Sequence, residues 1–229
     1  MKILKTLGLS VLLLMISVTL YAQDSEERNV GSFDEVKVAQ AINCYLKQGS
    51  SEKVRVEVEG SIDLDDVVTE VSGSKLSIHL DRGNYRNVHV KVYVTYKSLE
   101  GITVSSAADV YSENVIKSSS LELSASSAGS MELDVDVDEM EISASSSGDV
   151  EVSGKANYLE ADASSAGEID AFDVEAKSVR AQASSAGSIK VTANEEIRAD
   201  ASSGGSVRYK GNPTKSNTDS SSGGSVRKY

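Results

Sequence analysis

Aspartates that alternate with valine are the residues of this 229-residue sequence best suited to chemistry. Asp134, Asp136 and Asp138 occupy every second position, and side chains two residues apart share one face of a β-strand. Because Ca²⁺ prefers oxygen ligands, these aspartates are a candidate for a weak surface calcium site. They do not follow the EF-hand pattern, since Glu139 and Ser145 stand where that loop requires glycine and glutamate. A solvated acidic strand face is the competing interpretation.

Residues suited to covalent or acid–base catalysis are scarce. His79 and His89 are the only histidines, and alternation places both among outward, polar side chains. Serines are abundant, but a nucleophilic serine needs a neighbouring base and an orienting acid. We therefore predict that the protein is not an enzyme, has no catalytic residue and binds no cofactor. A polysaccharide-active enzyme remains an alternative, which a groove holding three or more carboxylates and a basic residue would favour.

Aromatic side chains on which sugar rings could stack would have to be tyrosines, because tryptophan is absent and phenylalanine occurs twice. Tyr85, Tyr93, Tyr96 and Tyr111 are the candidates for such a platform. Ordinary exposed strand tyrosines are the competing interpretation, since tyrosine is common in β-strands.

A recurring phrase of small residues indicates the elements that must position these side chains. The phrase, typically Ala-Ser-Ser-Ala-Gly, returns every 18 to 20 residues, and a period of this length is typical of a solenoid. A flexible Ser/Gly linker would not keep apolar residues in register with the phrase. Copies occur at 125–129, 144–148, 163–167, 183–187, 201–205 and 220–224, after a weaker copy at 106–108.

Apolar columns run through successive repeats at the same spacing. Leu121, Met140, Leu159, Val179 and Ile197 form one of them, and polar residues alternate with apolar ones inside each repeat. Alternation predicts strands with an apolar inner face, and the long period predicts parallel stacking, with coils about 4.8 Å apart. The sequence therefore predicts an all-β parallel β-helix with coils of about 19 residues. We expect glycine at a corner of unusual backbone conformation and serine hydroxyls that donate to the next coil.

The N-terminus has the features of a secretory signal peptide. Lys2 and Lys5 precede an apolar run over 7–20, and an alanine suited to cleavage follows it. We predict a signal peptide over 1–22 and an exported protein, in the periplasm, at the cell surface or outside the cell. An uncleaved membrane anchor is the alternative, although the run is short for a membrane span. The single cysteine, Cys44, is expected to be a small buried hydrophobe.

The rest of the chain is expected to form one domain. Residues 23–27 read as a short linker and residues 28–229 as a single β-helix domain. Residues 28–100 are less regular and are expected to form the N-terminal cap and first coils, because a solenoid needs an atypical end to cover its core. Residues 101–229 hold the regular Ser-Ser-Ala-Gly repeats.

Charge is distributed unevenly along a chain whose formal net charge is −12. Residues 112–176 carry 16 acidic and 2 basic residues, whereas residues 177–229 carry 4 acidic and 9 basic ones. We predict an acidic middle and a basic end, and no nucleic-acid partner, because phosphate contacts need a basic surface. Solubility explains such charge equally well. An uncovered last coil around 220–226 predicts a homo-oligomer that buries the C-terminal end.

Two segments resemble a known family. Arg28–Val36 and Leu99–Val110, followed by the Ser-Ser-Ala-Gly repeats, are similar to the head GIN domain of exported Bacteroidetes proteins, described as putative autotransporter adhesin heads. The resemblance covers nearly all of residues 28–229 and implies a right-handed β-helix, an adhesin-like role and no catalytic motif. This chain departs from the family in having Ser-Ser-Ala-Gly where Ser-Gly-Ser-Gly or Ser-Gly-Ala-Gly is usual.

Taken together, these features predict a non-catalytic, exported binding or structural module of the cell envelope. Its flat faces would present serine, threonine and carboxylate groups to a glycan or a protein by weak, multivalent contact. A periplasmic scaffold without an external ligand is the alternative. The sequence leaves the ligand, the compartment and the oligomeric state open.

Overall fold

A computed structural model describes residues 24–229. The predicted signal peptide, residues 1–22, lies outside the described residues. The described chain consists of strands apart from turns and a short 3₁₀ segment at Leu64–Asp66. In chain order the strands are β1 (Asp24–Arg28), β2 (Glu35–Ala39), β3 (Ile42–Gln48), β4 (Lys53–Glu59), β5 (Val67–Ser72), β6 (Lys75–Leu80), β7 (His89–Tyr96), β8 (Gly101–Ser105), β9 (Asp109–Ser112), β10 (Ile116–Ala125), β11 (Ser130–Ala144), β12 (Asp149–Ala163), β13 (Glu168–Ala183), β14 (Ser188–Ala201), β15 (Ser206–Lys210), β16 (Lys215–Ser220) and β17 (Ser225–Lys228).

Strands β10–β17 stack in parallel, one coil on the next. The predicted column of Leu121, Met140, Leu159, Val179 and Ile197 is aligned strand by strand, and each side chain is at most 3% exposed. Because every second residue points inward, the core is a continuous stack of small and medium apolar side chains. The predicted parallel β-helix with coils of about 19 residues is confirmed.

The less regular residues 24–100 supply the N-terminal end of the stack. β2 and β3 pair in parallel with β8 and β9, which lead on to β10 and β11. β4 pairs antiparallel with β7, β1 lies antiparallel on β4, and β5 and β6 form a hairpin. Residues 24–27 are therefore part of strand β1, and the structure differs there from the predicted linker. Cys44 is fully buried, as expected, and burial raises the pKa of its thiol.

The corner after each repeat phrase is built differently from the prediction. The left-handed conformation falls on the two residues before the last glycine, as at Ser165 (φ 49°) and Ala166 (φ 60°), whereas the φ of Gly167 is not positive. Glycine is needed at 167 because a Cβ atom there would lie 2.3 Å from the carbonyl oxygen of Ala144 in the preceding coil. Close approach of two backbones, rather than an unusual conformation, therefore accounts for the recurring glycine.

Neighbouring corners are joined by backbone hydrogen bonds rather than by the predicted ladder of serine hydroxyls. The amide of Ser164 donates to the carbonyl of Ala144 at 3.0 Å. Among residues 24–229 one hydroxyl–hydroxyl bond joins serines of adjacent coils, from Ser143 to Ser124 at 3.2 Å, and neither serine belongs to the corner phrase.

The C-terminal coil has serine and threonine at positions that hold inward-facing apolar residues in the preceding coils. Ser216, Thr218 and Ser220 stand opposite Ile197, Ala199 and Ala201 of β14. A polar last layer exposes less apolar surface than another alanine or isoleucine layer would. The outer edges of β16 and β17 pair with no other strand of the described chain, and the oligomer predicted at this end stays a prediction.

Candidate functional site

One outward-facing column of side chains crosses almost the whole length of the β-helix. On these strands the flanking residues, such as Cys44 and Leu46 around Tyr45, are buried, so the residue between them points outward. Strand register then aligns one outward residue from each coil. The column consists of a tyrosine stack (Tyr93, Tyr45, Tyr111) followed by what we call the charged column (Glu132, Glu151, Asp170, Lys190, Arg208, Arg227).

The tyrosine stack occupies the N-terminal end of the face. The centroid of the Tyr45 ring lies 5.0 Å from that of Tyr93 and 5.4 Å from that of Tyr111, and the ring planes are nearly parallel. The guanidinium of Arg55 lies 4.1 Å from the centroid of Tyr93 and covers that outer ring face by a cation–π contact. Partial burial, with added contributions from Asp109 and other neighbours, raises the pKa of Tyr111.

This arrangement changes the predicted sugar platform. Tyr93 and Tyr111 are brought together, but Tyr45 stacks on one face of each ring and Arg55 covers the other face of Tyr93. Both faces of Tyr93 and one face of Tyr111 are therefore occupied. Tyr96 is fully buried, and its hydroxyl has no hydrogen-bond partner within residues 24–229. Tyr85 is partly buried against the core, away from the stack. Tyr45 was missed because its partners β7 and β9 lie far along the chain and outside the regular repeats.

An acidic groove of about 280 Å³ lies beside the charged column. Five carboxylates and one lysine line it, which is the arrangement expected of a polysaccharide-active enzyme. The Lys210 ammonium lies 4.0 Å from the centroid of Phe172 and 5.4 Å from that of Tyr229, so aromatic rings hold it at the edge of the groove. The charged lining residues are Glu132, Asp134, Glu151, Asp170, Asp173 and Lys210.

The three candidate calcium ligands are divided between two grooves. Asp134 lines the acidic groove, and its amide donates to Ser112 Oγ at 2.8 Å. Asp136 and Asp138 line a separate groove of about 440 Å³, where Asp138 accepts a hydrogen bond from Asn157 Nδ2 at 2.7 Å. No group of three or more histidine, cysteine or acidic residues in the described range is arranged to hold a metal. The calcium site stays a prediction.

The sign of the charged column changes between Asp170 and Lys190. Lys190 Nζ bonds Asp170 at 2.9 Å and Glu168 at 3.0 Å, and these hydrogen bonds raise the pKa of Lys190. The pKa of Asp149, which lies beside this column, is raised mainly by partial burial and also by the negative charge of Glu168. The centre of the face is thus an internally paired cluster, with carboxylates on its N-terminal side and basic groups on its C-terminal side.

A third groove, of about 390 Å³, follows the serine-rich corners on another face, and we call it the serine groove. Ser145 and Ser164 of the corner phrases line it together with Asp162 and Asp200. Partial burial, then the neighbouring Glu160, raises the pKa of Asp162. Hydroxyl and carboxylate groups repeat there from coil to coil, so this groove offers polar, repeated contacts.

The histidines lie apart from these grooves. His79 is half-buried, with Nδ1 2.9 Å from the carbonyl oxygen of Leu80. His89 is exposed and lines a shallow depression with Asn43 and Lys91. Neither histidine lines the acidic groove or the serine groove.

Comparison with known proteins places this geometry in a family. Residues 32–213 match the family described as "putative auto-transporter adhesin, head GIN domain". No curated protein matches the sequence. In the range 24–229 no helix is both long and apolar enough to cross a membrane.

Solved structures share the fold at low sequence identity. A putative adhesin from Bacteroides fragilis has a TM-score of 0.82 and 20% identity, covering 91% of this chain and 97% of that one. A putative adhesin from Parabacteroides distasonis has a TM-score of 0.72 and 20% identity, with coverage of 91% and 97%. A putative lipid binding protein from Parabacteroides distasonis has a TM-score of 0.66 and 21% identity, with coverage of 90% and 96%.

Proposed function

Because this chain belongs to the head GIN domain family, we propose that it is an exported, non-catalytic binding module of the cell envelope. Its β-helical faces would contact a glycan or a protein outside the periplasm. The observation that carries this proposal is the alignment of like side chains in outward columns, one per coil. Contacts repeated at about 4.8 Å are individually weak and together strong, as multivalent recognition requires.

The polar chemistry of these faces favours hydrogen bonding over stacking. Carboxylates accept hydrogen bonds, and serine hydroxyls both donate and accept them. The acidic groove and the serine groove each supply both groups from several coils. In the tyrosine stack, contacts occupy both faces of Tyr45 and Tyr93 and one face of Tyr111, which limits the ring surface on which a sugar could stack. We therefore expect a ligand rich in hydroxyl or basic groups rather than one that needs an aromatic platform.

The binding test uses residues 23–229 on an array of purified glycans and on surfaces coated with extracellular-matrix proteins. Glu132→Gln with Glu151→Gln should weaken binding at the acidic groove. Glu122→Gln with Glu141→Gln changes the same charges on another face and serves as the matched control. Binding to neither class of probe would contradict the proposal, and equal loss in both variants would show that net charge, not this face, is responsible.

Location is tested on intact cells. A surface-exposed module should be cleaved by added protease while a periplasmic marker stays intact. Protection of the protein until the outer membrane is opened would instead support a periplasmic scaffold without an external ligand.

The acidic groove favours a second candidate function, cleavage of a polysaccharide. Five carboxylates and Lys210 meet in one groove, and paired carboxylates can act as acid and base on a glycosidic bond. New reducing ends after incubation with a polysaccharide panel, lost in Glu132→Gln and Glu151→Gln, would support an enzyme. No product from any substrate is the outcome that the binding module predicts.

A further inference from the structure

The charged column has a self-complementary order of charge. Read from the N-terminal side, three carboxylates are followed by three basic groups, one per coil. Turned end over end, the column presents three basic groups opposite three carboxylates. A surface with this property can bind a second copy of itself through a two-fold axis.

The outer members of the column are available for such a contact. Glu132, Glu151, Arg208 and Arg227 are exposed. Within residues 24–229, none of these four forms a salt bridge, whereas Asp170 and Lys190 at the centre bond each other. The unpaired charges are therefore the ones farthest from the change of sign, where a second molecule would meet them.

We propose that this face forms a symmetric antiparallel dimer with a second copy of the chain. The two-fold axis lies in the interface, parallel to the strands, between Asp170 and Lys190. Glu132 then faces Arg227 of the partner subunit, and Glu151 faces Arg208 of the partner subunit, and symmetry repeats both contacts. This inference concerns self-association, and because Glu132 and Glu151 also line the acidic groove, the dimer would compete with a ligand bound in that groove.

The adjacent column fits the same symmetry. It runs through Ser130, Asp149, Glu168, Ser188, Ser206 and Ser225, one residue per coil. The two-fold rotation places both carboxylates of this column opposite serines of the second copy, because the acidic residues of the column all lie on one side of the axis. The arrangement therefore brings no like charges directly together in this column, and hydroxyls can donate to the desolvated carboxylates.

The size of the face sets the expected strength. Six coils span about 24 Å along the solenoid and five strand residues span about 15 Å, so each subunit contributes a few hundred Å². This is below the area of a standard stable interface, so the dimer should be weak and transient. Exposed ion pairs are screened by salt, and dissociation should therefore increase steeply with ionic strength.

Sedimentation velocity of residues 23–229 at about 10 mM and about 1 M salt, where the screening lengths are about 30 Å and 3 Å, tests the proposal. The protein should dimerise at low salt and be monomeric at high salt. Glu132→Arg with Glu151→Arg should weaken the dimer at least tenfold, and Arg208→Glu with Arg227→Glu should do the same. An equimolar mixture of the two variants should restore a dimer, because one then carries only basic groups and the other only acidic groups at the four outer positions.

Glu122→Arg with Glu141→Arg, on another face, is the matched control and should leave the dimer intact. Circular dichroism of each variant checks that the β-helix is retained. A monomer at millimolar concentration in low salt would overturn the proposal. So would a dimer that the control weakens as much as the test variants do, or one that persists at high salt, as association through the backbone edges of the C-terminal coil would.

Discussion

A single methyl group at Gly167 should destabilise the coil stack although the φ of this residue is not positive. In Gly167→Ala the new Cβ would lie 2.3 Å from the oxygen and 2.4 Å from the carbonyl carbon of Ala144, and 2.8 Å from the amide nitrogen of Ser145. These are backbone atoms of the preceding coil, so no side-chain rotation relieves the contact. The two coils must separate by about 1 Å to reach an ordinary carbon–oxygen distance.

That separation cannot be made without breaking the ladder beside it. The amide of Ser164 donates to Ala144 at 3.0 Å, and the amide of Glu168 donates to Gly148 at 2.9 Å. An added 1 Å carries both bonds beyond the usual 2.7–3.2 Å range. A backbone hydrogen bond contributes about 0.5–1.5 kcal/mol net, so loss of the two bonds should cost the variant about 1–3 kcal/mol of stability.

The neighbouring exchange, Ala166→Gly, should act in the opposite direction. Ala166 has φ 60°, a conformation that costs an L-residue about 1–2 kcal/mol. Glycine avoids that strain, but it loses more conformational entropy on folding than alanine does, which costs about 0.5–1 kcal/mol. The expected result is a change between about zero and 1.5 kcal/mol in favour of the folded state. The chain itself uses this solution in later coils, where Gly204 and Gly223 occupy the same corner position with positive φ.

Urea unfolding of residues 23–229, followed by circular dichroism in the β-sheet region, measures both variants. The close-approach explanation would be refuted if Gly167→Ala lost less than about 1 kcal/mol, since removal of two backbone hydrogen bonds is expected to cost more. It would also fail if Ala166→Gly were as harmful as Gly167→Ala, because the corner would then depend on local chain stiffness rather than on close approach.

Three further predictions test the interior, the metal hypothesis and pH dependence. Ala163→Leu should overpack the inner alanine column and cost about 1–3 kcal/mol in urea unfolding, whereas Ser164→Leu on the outside should be milder; equal losses would contradict the register. Millimolar calcium should leave the melting temperature unchanged, because two grooves divide the aspartates; a saturable rise that Asp134→Asn with Asp136→Asn abolishes would reveal a site. Asp162→Asn should raise the melting temperature at pH 7, because the pKa of Asp162 is raised in the folded state and its ionised form is destabilising. This advantage should fade as the pH falls through the folded pKa towards the unfolded value of about 3.9, and a lower melting temperature at pH 7 would contradict it.

The regular part of the fold was predictable because a parallel stack repeats its constraints in the sequence. Leu121 and Met140 meet the same neighbours one coil apart, so the same residue type returns at the same spacing. The N-terminal part has no such repetition. β3 pairs with β7 and β9 across intervening strands, and no period in the sequence aligns Tyr45 with Tyr93.

The site was predictable in composition but not in arrangement. The acidic middle and basic end follow from counting residues, and alternation places Asp134, Asp136 and Asp138 on the outside. It does not show that Asp134 lines one groove while Asp136 and Asp138 line another. The role of Gly167 was also misjudged, since a sequence shows that a side chain is absent but not whether conformation or a neighbouring backbone excludes it.

The order of charge along the face is not the order that would best stabilise the fold. In the charged column, four of the five pairs of neighbouring residues have charges of the same sign, and only Asp170 and Lys190 have charges of opposite sign. Cross-strand pairs of opposite charge contribute roughly 0.2–1 kcal/mol each, and like charges destabilise, so strict alternation of sign would have given a more stable stack.

Solubility explains the excess of acidic residues but not this order, because alternating signs give the same net charge. Each coil packs only on its neighbours, and outward residues can therefore change without disturbing the core. Like charges on neighbouring strands lower the stability of the fold, but they create large surface patches of a single sign. Such patches are suited to electrostatic recognition of a second molecule with complementary charge. We therefore attribute the pattern to contacts between molecules rather than to folding.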